Sequence, residues 1–249
     1  MGREVVAAVL EADDMVLSAQ IDLRSEAIDP VEGSAVLGSV AELDEGLVDV
    51  LVDFSVADAA RSHLADSLRR GLHLVVGTTG LNEADIASLE MAAREGSANA
   101  VLAANFAIGA VLLMRFAAEA ARYFEGVEII ELHHDKKIDA PSGTAMATAE
   151  HIAAARRAAG LDAPDDPTTT ALLEGARGGK AAGGISIHSV RLPGLVAHEE
   201  VIFGGPGQGL TLRHDSYDRR SFMTGVLLAI RAVGRRPGIT VGLEPLLTP

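Results

Sequence analysis

The chain has 249 residues, 48% of them hydrophobic, and a formal net charge of −14. The hydrophobic fraction excludes an intrinsically disordered chain, and the negative charge argues against a broad surface for nucleic acid or an anionic membrane. Because the chain has no cysteine, disulfides, thiol nucleophiles and cysteine-ligated metal sites are excluded.

Strands alternate with helices through the first half of the chain. Strands are predicted at residues 15–22, 48–54, 73–79, 99–106 and 127–134. Helices are predicted at residues 2–14, at residues 57–70, from the N-cap Asn82 onward, and at residues 109–124. Residues 24–47 are acidic and rich in turn formers, which predicts a loop with one helical turn. The alternation indicates right-handed βαβ units and a parallel sheet.

The pattern changes in the last third of the chain. Residues 184–192, 197–204 and 209–216 alternate between polar and apolar side chains and predict an antiparallel sheet. A helix is predicted at residues 221–233. The glycine-rich segment 204–209 links two of the strands and lacks the Lys-Ser/Thr of a phosphate loop, so it is predicted to be a hairpin turn.

These elements predict an α/β protein in which a Rossmann-type doubly wound parallel sheet is followed by a mixed or antiparallel sheet. Asp22 ends the first visible strand, where a dinucleotide-binding fold carries the acid that binds the adenosine ribose. In such a fold this strand is the second, so the first strand is apparently missing. We expect a cytoplasmic protein without a membrane span, because no secretory signal is visible and the most apolar stretch, residues 98–121, is interrupted by polar residues.

Two strand ends carry small and polar residues that suit a cofactor. Gly77 would let the backbone approach a ligand, and the hydroxyls and amides of Thr78 and Thr79 would contact it. The segment AANF, residues 103–106, ends the next strand in the same way, and Phe54 would supply an apolar wall. For the GTTG segment, a tight turn followed by an N-cap is the alternative.

The segment HHDKKIDAPSGTA, residues 133–145, holds two of only three lysines in a chain with eighteen arginines. Its PSGTA portion predicts a helix start, with proline in the first turn and an anion site at the free amides of residues 142–144. Lys137 can release a proton that arginine would retain, and His133 titrates near neutrality. The combination predicts a carboxylate substrate that undergoes protonation; a capped helix with solvated lysines is the alternative.

Two other chemistries fit these residues less well. His133 and His134 are adjacent on a strand and point to opposite faces, so they do not easily bind one ion, and we predict no metal. Ser142 lacks the G-x-S-x-G elbow of a hydrolase and an evident orienting acid.

The whole chain from Gly2 onward resembles the dihydrodipicolinate reductase family. ELHHDKKIDAPSGTA is similar to the family signature E-x-H-H-x-x-K-x-D-A-P-S-G-T-A, and the other matching stretches follow in the family's order. These are VDFS, VVGTTG, AANFAIGA, RLPGLVAHEEVIFG and RHDSYDRRSF.

The resemblance implies hydride transfer from NADH or NADPH to the conjugated imine ring of a cyclic dicarboxylate, followed by protonation of the enamine to give tetrahydrodipicolinate. It makes His133 a proton donor and acceptor and Lys137 a proton donor. The substrate carboxylates would be held by His134, Ser142, Gly143, Thr144 and Arg219. The dinucleotide would contact Gly77, Thr78, Thr79, Ala103, Ala104, Asn105 and Phe106, with Asp22 at its adenosine ribose.

The resemblance also implies two domains with different roles. Residues 1–107, completed by residues 217–249, would form the dinucleotide-binding domain. Residues 108–216 would bind the substrate, a small dicarboxylate, and assemble the chain into a homotetramer.

The start of the chain departs from the family pattern. The first strand and its G-x-x-G-x-x-G turn are absent, and only Gly2 stands at the position of the last glycine. We expect about ten further residues upstream in the natural protein, forming a strand between those that end at Asp22 and Phe54. The competing hypothesis is a non-catalytic paralogue that binds a dicarboxylate but has lost dinucleotide binding. Retention of His133, Lys137, the GTTG segment and Asp22 argues against it.

The nucleotide preference depends on one acidic residue. Asp22 suits a ribose diol and repels a 2′-phosphate, whereas the nearby Arg24 offsets that repulsion. We therefore expect NADH to be used at least as well as NADPH.

Overall fold

The structure, a computed structural model, describes residues 1–44 and 46–247; Glu45 in the predicted loop and the last two residues lie outside the described part. The chain forms two compact units. The first consists of residues 1–106 together with the chain from residue 222 onward, and the second consists of residues 107–221.

Six helices and eleven strands make up the described part of the chain, besides short 3₁₀ turns. The helices are α1 Gly2–Leu10, α2 Ala57–Arg69, α3 Glu83–Gly96, α4 Ile108–Ala120, α5 Gly143–Ala158 and α6 Met223–Val233. The strands are β1 Ala19–Ile21, β2 Ala35–Leu37, β3 Val50–Asp53, β4 His73–Val76, β5 Ala100–Leu102, β6 Gly126–His133, β7 Gly179–Lys180, β8 Ser186–Arg191, β9 Ala197–Gly205, β10 Gln208–Ser216 and β11 Ile239–Val241. None of the described helices is long and apolar enough to cross a membrane.

The first unit contains the predicted parallel sheet. Its four strands lie in the order β11-β5-β4-β3, and every pair is parallel. β1 and β2 form a separate parallel pair. β1 and β3, between which the sequence predicts a further strand, therefore belong to different sheets in the described part of the chain.

Helices α2 and α3 cover the sheet because their apolar residues recur at helical spacing. Leu64 and Leu68 of α2 are buried, as is Leu89 of α3. The two helices approach so closely that a Cβ at Gly96 would lie 1.8 Å from the backbone oxygen of Leu68. The predicted N-cap of α3 is confirmed: the Asn82 side chain accepts a hydrogen bond from the backbone N–H of residue 85.

Three details of the first unit differ from the prediction. α1 ends at Leu10 rather than at residue 14. β2 lies inside the predicted loop, and β11 lies after the last predicted helix, in a segment for which no strand is predicted. Both strands have only three residues, too few for a visible alternation, and they form by pairing with β1 and β5.

The second unit contains a five-stranded mixed sheet in the order β10-β9-β6-β8-β7. β6 pairs parallel to β8, and the other pairs are antiparallel. The predicted hairpin turn is confirmed, because Gln208 pairs with Gly205 across a two-residue connection in which Gly207 has a φ of 71°.

β6 runs through the middle of this sheet, with one face towards the core. Val127, Ile129 and Glu131 alternate as buried residues along it, and Ile129 packs with Ile152 of α5. The same alternation brings His133 after Glu131 on the core-facing side. A charged carboxyl group thus occupies a core position two residues before the predicted acid/base residue.

Candidate active site

Glu131 joins two of the predicted active-site residues. Its side chain is fully buried, and its Oε2 lies 2.5 Å from Nδ1 of His133. Its Oε1 lies 3.3 Å from the backbone nitrogen of Ser142, which donates to it. The histidine at the end of β6 and the residue that opens α5 therefore meet at one carboxylate.

Arg191 holds this carboxylate from β8. Its Nη2 donates to Glu131 Oε1 at 2.7 Å, and its Nη1 donates to Oε2 at 2.9 Å. Burial raises the pKa of Glu131, but hydrogen bonds from Arg191, Ser189 and His133 outweigh it and hold that pKa below its usual value. Glu131 is therefore a carboxylate at neutral pH.

His133 is neutral in this setting. Burial lowers its pKa and outweighs the hydrogen bond and charge of Glu131, which raise it, while Lys137 and Arg191 lower it further. Its Nε2 has no hydrogen-bond partner among the residues that the structure describes. That nitrogen is available to exchange a proton with a ligand.

Lys137 is held near this cluster by the loop between β6 and α5. Its Nζ lies 2.8 Å from Asp139 Oδ1, and the backbone oxygen of Asp139 accepts a hydrogen bond from Arg191 at 2.7 Å. Arg191 thus connects the Glu131 carboxylate to the segment that carries Lys137. The neighbouring Lys136 is exposed, and so is His134.

The start of α5 differs from the prediction in two respects. The backbone N–H of Ser142, predicted to be free for an anion, donates to Glu131. Ser142 is the N-cap, and its Oγ accepts from the backbone N–H of Ala145 at 3.2 Å, as predicted for a capped helix. Pro141 precedes the cap and does not lie in the first turn, because the helix begins at Gly143. Apart from its chain neighbours and the backbone of its own helical turn, a Cβ at Gly143 would have no described atom within 4 Å, so the space beside this peptide is open.

Behind the first turn of α5 lies a second buried carboxyl group. Thr148 Oγ1 lies 3.0 Å from the backbone oxygen of Thr144 and 2.5 Å from Oε1 of Glu199 on β9. Burial raises the pKa of Glu199 to about 7, against the hydrogen bond with Thr148, and the charge of Glu131 raises it as well. The remaining predicted substrate residue, Arg219, is exposed in a 3₁₀ turn of the second unit, and its role stays a prediction.

The predicted cofactor residues of the first unit follow three adjacent parallel strands. Phe54 comes directly after β3, Gly77 after β4 and Ala103 after β5. Because these strands are parallel and neighbouring, the three residues lie together at the carboxyl edge of the sheet, where ligands of doubly wound folds bind. In the segment after β4, Thr79 is exposed. In the segment after β5, Ala104 is exposed, whereas Ala103 and Phe106 are buried.

Asp53 organises this edge. Its carboxylate accepts hydrogen bonds from Thr78 Oγ1 at 2.5 Å and from the backbone of Ser55 at 3.0 Å, and it lies 2.7 Å from His63 Nε2. Burial raises the pKa of Asp53, but the hydrogen bonds from His63, Thr78 and Ser55 outweigh it and lower that pKa to about 2. The Thr78 hydroxyl hydrogen is thus engaged within the protein, which leaves the backbone of Thr78 and the exposed Thr79 to meet a ligand.

Gly77 makes room for an aromatic ring. A Cβ there would lie 2.0 Å from Cε1 of Phe54, whose ring centroid lies 5.6 Å from that of Phe106. Asn105, between the buried Ala103 and Phe106, is half-buried. Asp22 is exposed, and its Oδ1 accepts from the backbone N–H of Arg24 at 2.9 Å.

Four residues that support the predicted ones are not predicted from the sequence: Glu131, Arg191, Glu199 and Asp53. A signal was present for Glu131, because it interrupts the apolar alternation of β6 on the core-facing side. Glu199 and Arg191 carry no such local signal, since their roles depend on which strands pair. Among the described residues, no group of three or more His, Asp or Glu is arranged to hold a metal ion.

Comparisons with known proteins point to one family along the whole chain. The family model described as "Dihydrodipicolinate reductase, N-terminus" matches residues 1–106, and the model described as "Dihydrodipicolinate reductase, C-terminus" matches residues 109–247. A 4-hydroxy-tetrahydrodipicolinate reductase of Geobacillus kaustophilus is 48% identical and covers 99% of this chain and 95% of its own length. One from Streptococcus thermophilus is 50% identical with the same coverage of both chains.

A solved structure agrees with these sequences. A dipicolinate-bound dihydrodipicolinate reductase from a Paenisporosarcina species superposes with a TM-score of 0.88 at 41% identity, covering 98% of this chain and 94% of that one. An amine dehydrogenase from Mycobacterium smegmatis shares the fold alone, with a TM-score of 0.59 at 13% identity.

Proposed function

This chain belongs to the dihydrodipicolinate reductase family, and we propose that it reduces 4-hydroxy-tetrahydrodipicolinate to tetrahydrodipicolinate with NADH or NADPH, the 4-hydroxyl group leaving as water. The observation that carries the proposal is the meeting of His133 and the α5 N-cap Ser142 at Glu131. A proton-exchanging group and an anion-binding helix start are what protonation of a bound carboxylate compound requires.

The second unit supplies the substrate site in this proposal. The start of α5 binds a substrate carboxylate through the backbone amides of Gly143 and Thr144 and the hydroxyls of Ser142 and Thr144, and the open space at Gly143 supports this role. His134 and Arg219, both exposed, provide further positive or hydrogen-bonding groups for the second carboxylate.

Proton transfer falls to His133 and Lys137. Lys137 carries a proton that it can release to the reduced ring, and His133 exchanges a proton through Nε2. Asp139 holds the Lys137 ammonium within the segment that Arg191 anchors.

The first unit supplies the dinucleotide site. Its residues fit such a ligand, because three strand ends meet at one edge and an exposed carboxylate, Asp22, suits a ribose diol. The bound dinucleotide supplies the hydride. Asp53 fixes the turn of Gly77 and Thr78 on which the ligand rests, and Phe54 provides an apolar wall.

Preference between the two nucleotides follows from Asp22. A carboxylate favours the free 2′-hydroxyl of NADH over the 2′-phosphate of NADPH, and its hydrogen bond with the Arg24 backbone fixes its position. We propose that NADH is used at least as well as NADPH.

We also propose how the protein assembles and where in the cell it is located. A homotetramer built through residues 108–216 and a cytoplasmic location are what the family resemblance implies. Light scattering of the purified chain and fractionation of cells that express it test these two statements.

A non-catalytic dicarboxylate-binding protein is the second candidate, and binding measurements separate the two. We expect calorimetric titration to show binding of both NADH and pyridine-2,6-dicarboxylate, a planar analogue of the substrate. Binding of the dicarboxylate without any binding of NADH or NADPH would overturn the proposed reductase and support the second candidate.

A further inference from the structure

The proton on His133 has a defined position, because the partner of Nδ1 is a carboxylate. Glu131 Oε2 lies 2.5 Å from Nδ1 and, when ionised, can only accept a hydrogen bond. Nδ1 must therefore carry the hydrogen of the neutral imidazole. Nε2 is left as the nitrogen with a lone pair, and the histidine side chain is 14% exposed.

The strand register places the Glu131 carboxylate where it can accept the hydrogen on Nδ1 of His133. β6 and β8 are parallel, with Glu131 beside Ser189 and His133 beside Arg191. Glu131 and His133 are two residues apart on one face, so the two side chains lie next to each other. Arg191 reaches back along that face to meet both carboxylate oxygens.

Arg191 is itself fixed by backbone groups. Its Nη1 donates to the carbonyl oxygen of Val190 at 2.8 Å, and its Nη2 donates to that of Asp139 at 2.7 Å. Because both terminal nitrogens of Arg191 are held by backbone oxygens and each also donates to one oxygen of Glu131, the carboxylate has one orientation. The oxygens of Glu131 also face Nδ1 of His133, the backbone N–H of Ser142 and the side chain of Ser189.

We propose that Glu131 is a positioning residue for the reductase reaction, which fixes His133 with its hydrogen on Nδ1 and ties that ring to the start of α5. The inference rests on the proposed function and deepens it, because it names what sets the geometry between the proton-exchanging nitrogen and the carboxylate-binding amides. Arg191 acts through Glu131 by orienting its carboxylate. Neither residue needs to contact the substrate.

A purely structural role would have different consequences. A buried ion pair that only stabilises the fold would lower the amount of folded protein when broken, and the remaining folded enzyme would keep its pH profile. A positioning role changes the tautomer and the titration of His133 itself. The charged groups that face this ring are Glu131 on its own strand, Arg191 on β8 and Lys137 in the following loop.

The tautomer is measured directly by NMR of the full chain with ¹⁵N-labelled histidine rings. The His133 signals are assigned by their loss in His133→Asn. In the wild type, above the titration of the ring, we expect a protonated Nδ1 and an unprotonated Nε2. In Glu131→Gln we expect a mixture of tautomers, because an amide can present either its oxygen or its NH₂ to the ring.

Kinetics supply the second readout. We expect Glu131→Gln to lower kcat by about 10- to 10²-fold, with a smaller change in KM, and to move the His133 limb of the pH profile to lower pH. The chain offers a matched control in Glu128→Gln. Glu128 lies on the opposite face of β6 and also pairs with an arginine and a histidine, Arg177 and His188, outside the candidate site.

The outcomes are separable. Wild-type His133 protonated on Nε2 overturns the inference without any variant, even if Glu131→Gln fails to fold. A folded Glu131→Gln with the wild-type tautomer and pH limb overturns it too, as does Glu128→Gln with the same kinetic change. If the Nδ1 tautomer holds but the wild type reduces no substrate, the proposed function fails instead.

Discussion

Glu131 on β6 lies directly opposite Glu199 on β9, and the pKa values of these two buried carboxyl groups are displaced in opposite directions. That of Glu131 is lowered, and that of Glu199 is raised to about 7. Hydrogen-bond geometry agrees with a protonated Glu199. The Thr148 hydroxyl has one hydrogen, so it can donate to only one of its two neighbours, the backbone oxygen of Thr144 and Oε1 of Glu199. Both contacts are hydrogen bonds if Thr148 donates to Thr144 and a protonated Glu199 donates to Thr148.

Stability should therefore depend on pH through Glu199. The pKa of Glu199 in the folded protein is raised from 4.5 to about 7. Its contribution to the free energy of unfolding is therefore fully present below about pH 4.5 and is lost as pH rises through about 7. This loss amounts to about 3 kcal/mol. Glu199→Gln stays neutral and can donate to Thr148. We expect its thermal midpoint to match the wild type near pH 4.5 and to exceed it near pH 8.

Calorimetry at the two pH values checks this expectation. Glu200→Gln is the control, because Glu200 is the next residue on β9 but pairs with the partly exposed Arg213. Parallel pH curves for the wild type and Glu199→Gln would show that Glu199 is ionised in the folded protein.

Lys137→Arg tests the proton donor. Arginine keeps the charge beside Asp139 but does not release a proton, so we expect kcat to fall about 10²-fold or more with some substrate binding retained. Lys136→Arg, one residue away and exposed, should change little. Equal kinetic constants for the two variants would reduce Lys137 to an electrostatic anchor.

Gly143→Ala tests the carboxylate site at α5. Outside its chain neighbours and its own helical turn, the added Cβ meets no described atom within 4 Å, and alanine favours a helix, so we expect an unchanged or higher thermal midpoint. We expect weaker binding of pyridine-2,6-dicarboxylate, because the methyl group enters the open space beside the helix amides. Gly179→Ala, whose Cβ is equally unhindered, is the control. Dicarboxylate affinity equal to that of the wild type would place the ligand elsewhere.

Asp53→Asn tests the support of the cofactor edge. The folded pKa of Asp53 is lowered from 3.8 to about 2, so its contribution of about 2 kcal/mol is present above about pH 4 and is lost as pH falls through about 2. We expect the variant to have a lower free energy of unfolding than the wild type near pH 6, and this difference to become smaller near pH 3. NADH should bind more weakly, since the charge-assisted hydrogen bonds from Thr78 and His63 to Asp53 are replaced by weaker neutral ones.

Asp49→Asn, at an exposed aspartate just before β3, is the reference for this measurement. If the free energy of unfolding of Asp53→Asn differs from that of the wild type by the same amount at pH 6 and at pH 3, Asp53 is not an ionised carboxylate stabilised by hydrogen bonds.

The sequence predicts much of this molecule because its strongest signals are local. Alternating strands and helices predict the parallel sheet, and Asn82 and Ser142 are recognisable caps. β2 and β11 escape prediction because each has three residues and forms through distant partners. The contact between Glu131 and Arg191 spans 60 residues and depends on the β6–β8 register, which no local pattern encodes.

Turnover by the purified chain is the most direct test of the proposed function. Freshly generated 4-hydroxy-tetrahydrodipicolinate is mixed with NADH or NADPH, and the loss of reduced nucleotide and the formation of tetrahydrodipicolinate are followed together. We expect equal amounts of both, with NADH used at least as well as NADPH, and a rate about 10²-fold lower for Lys137→Arg. Tight dicarboxylate binding without substrate-dependent oxidation of either nucleotide would contradict the assignment as a reductase.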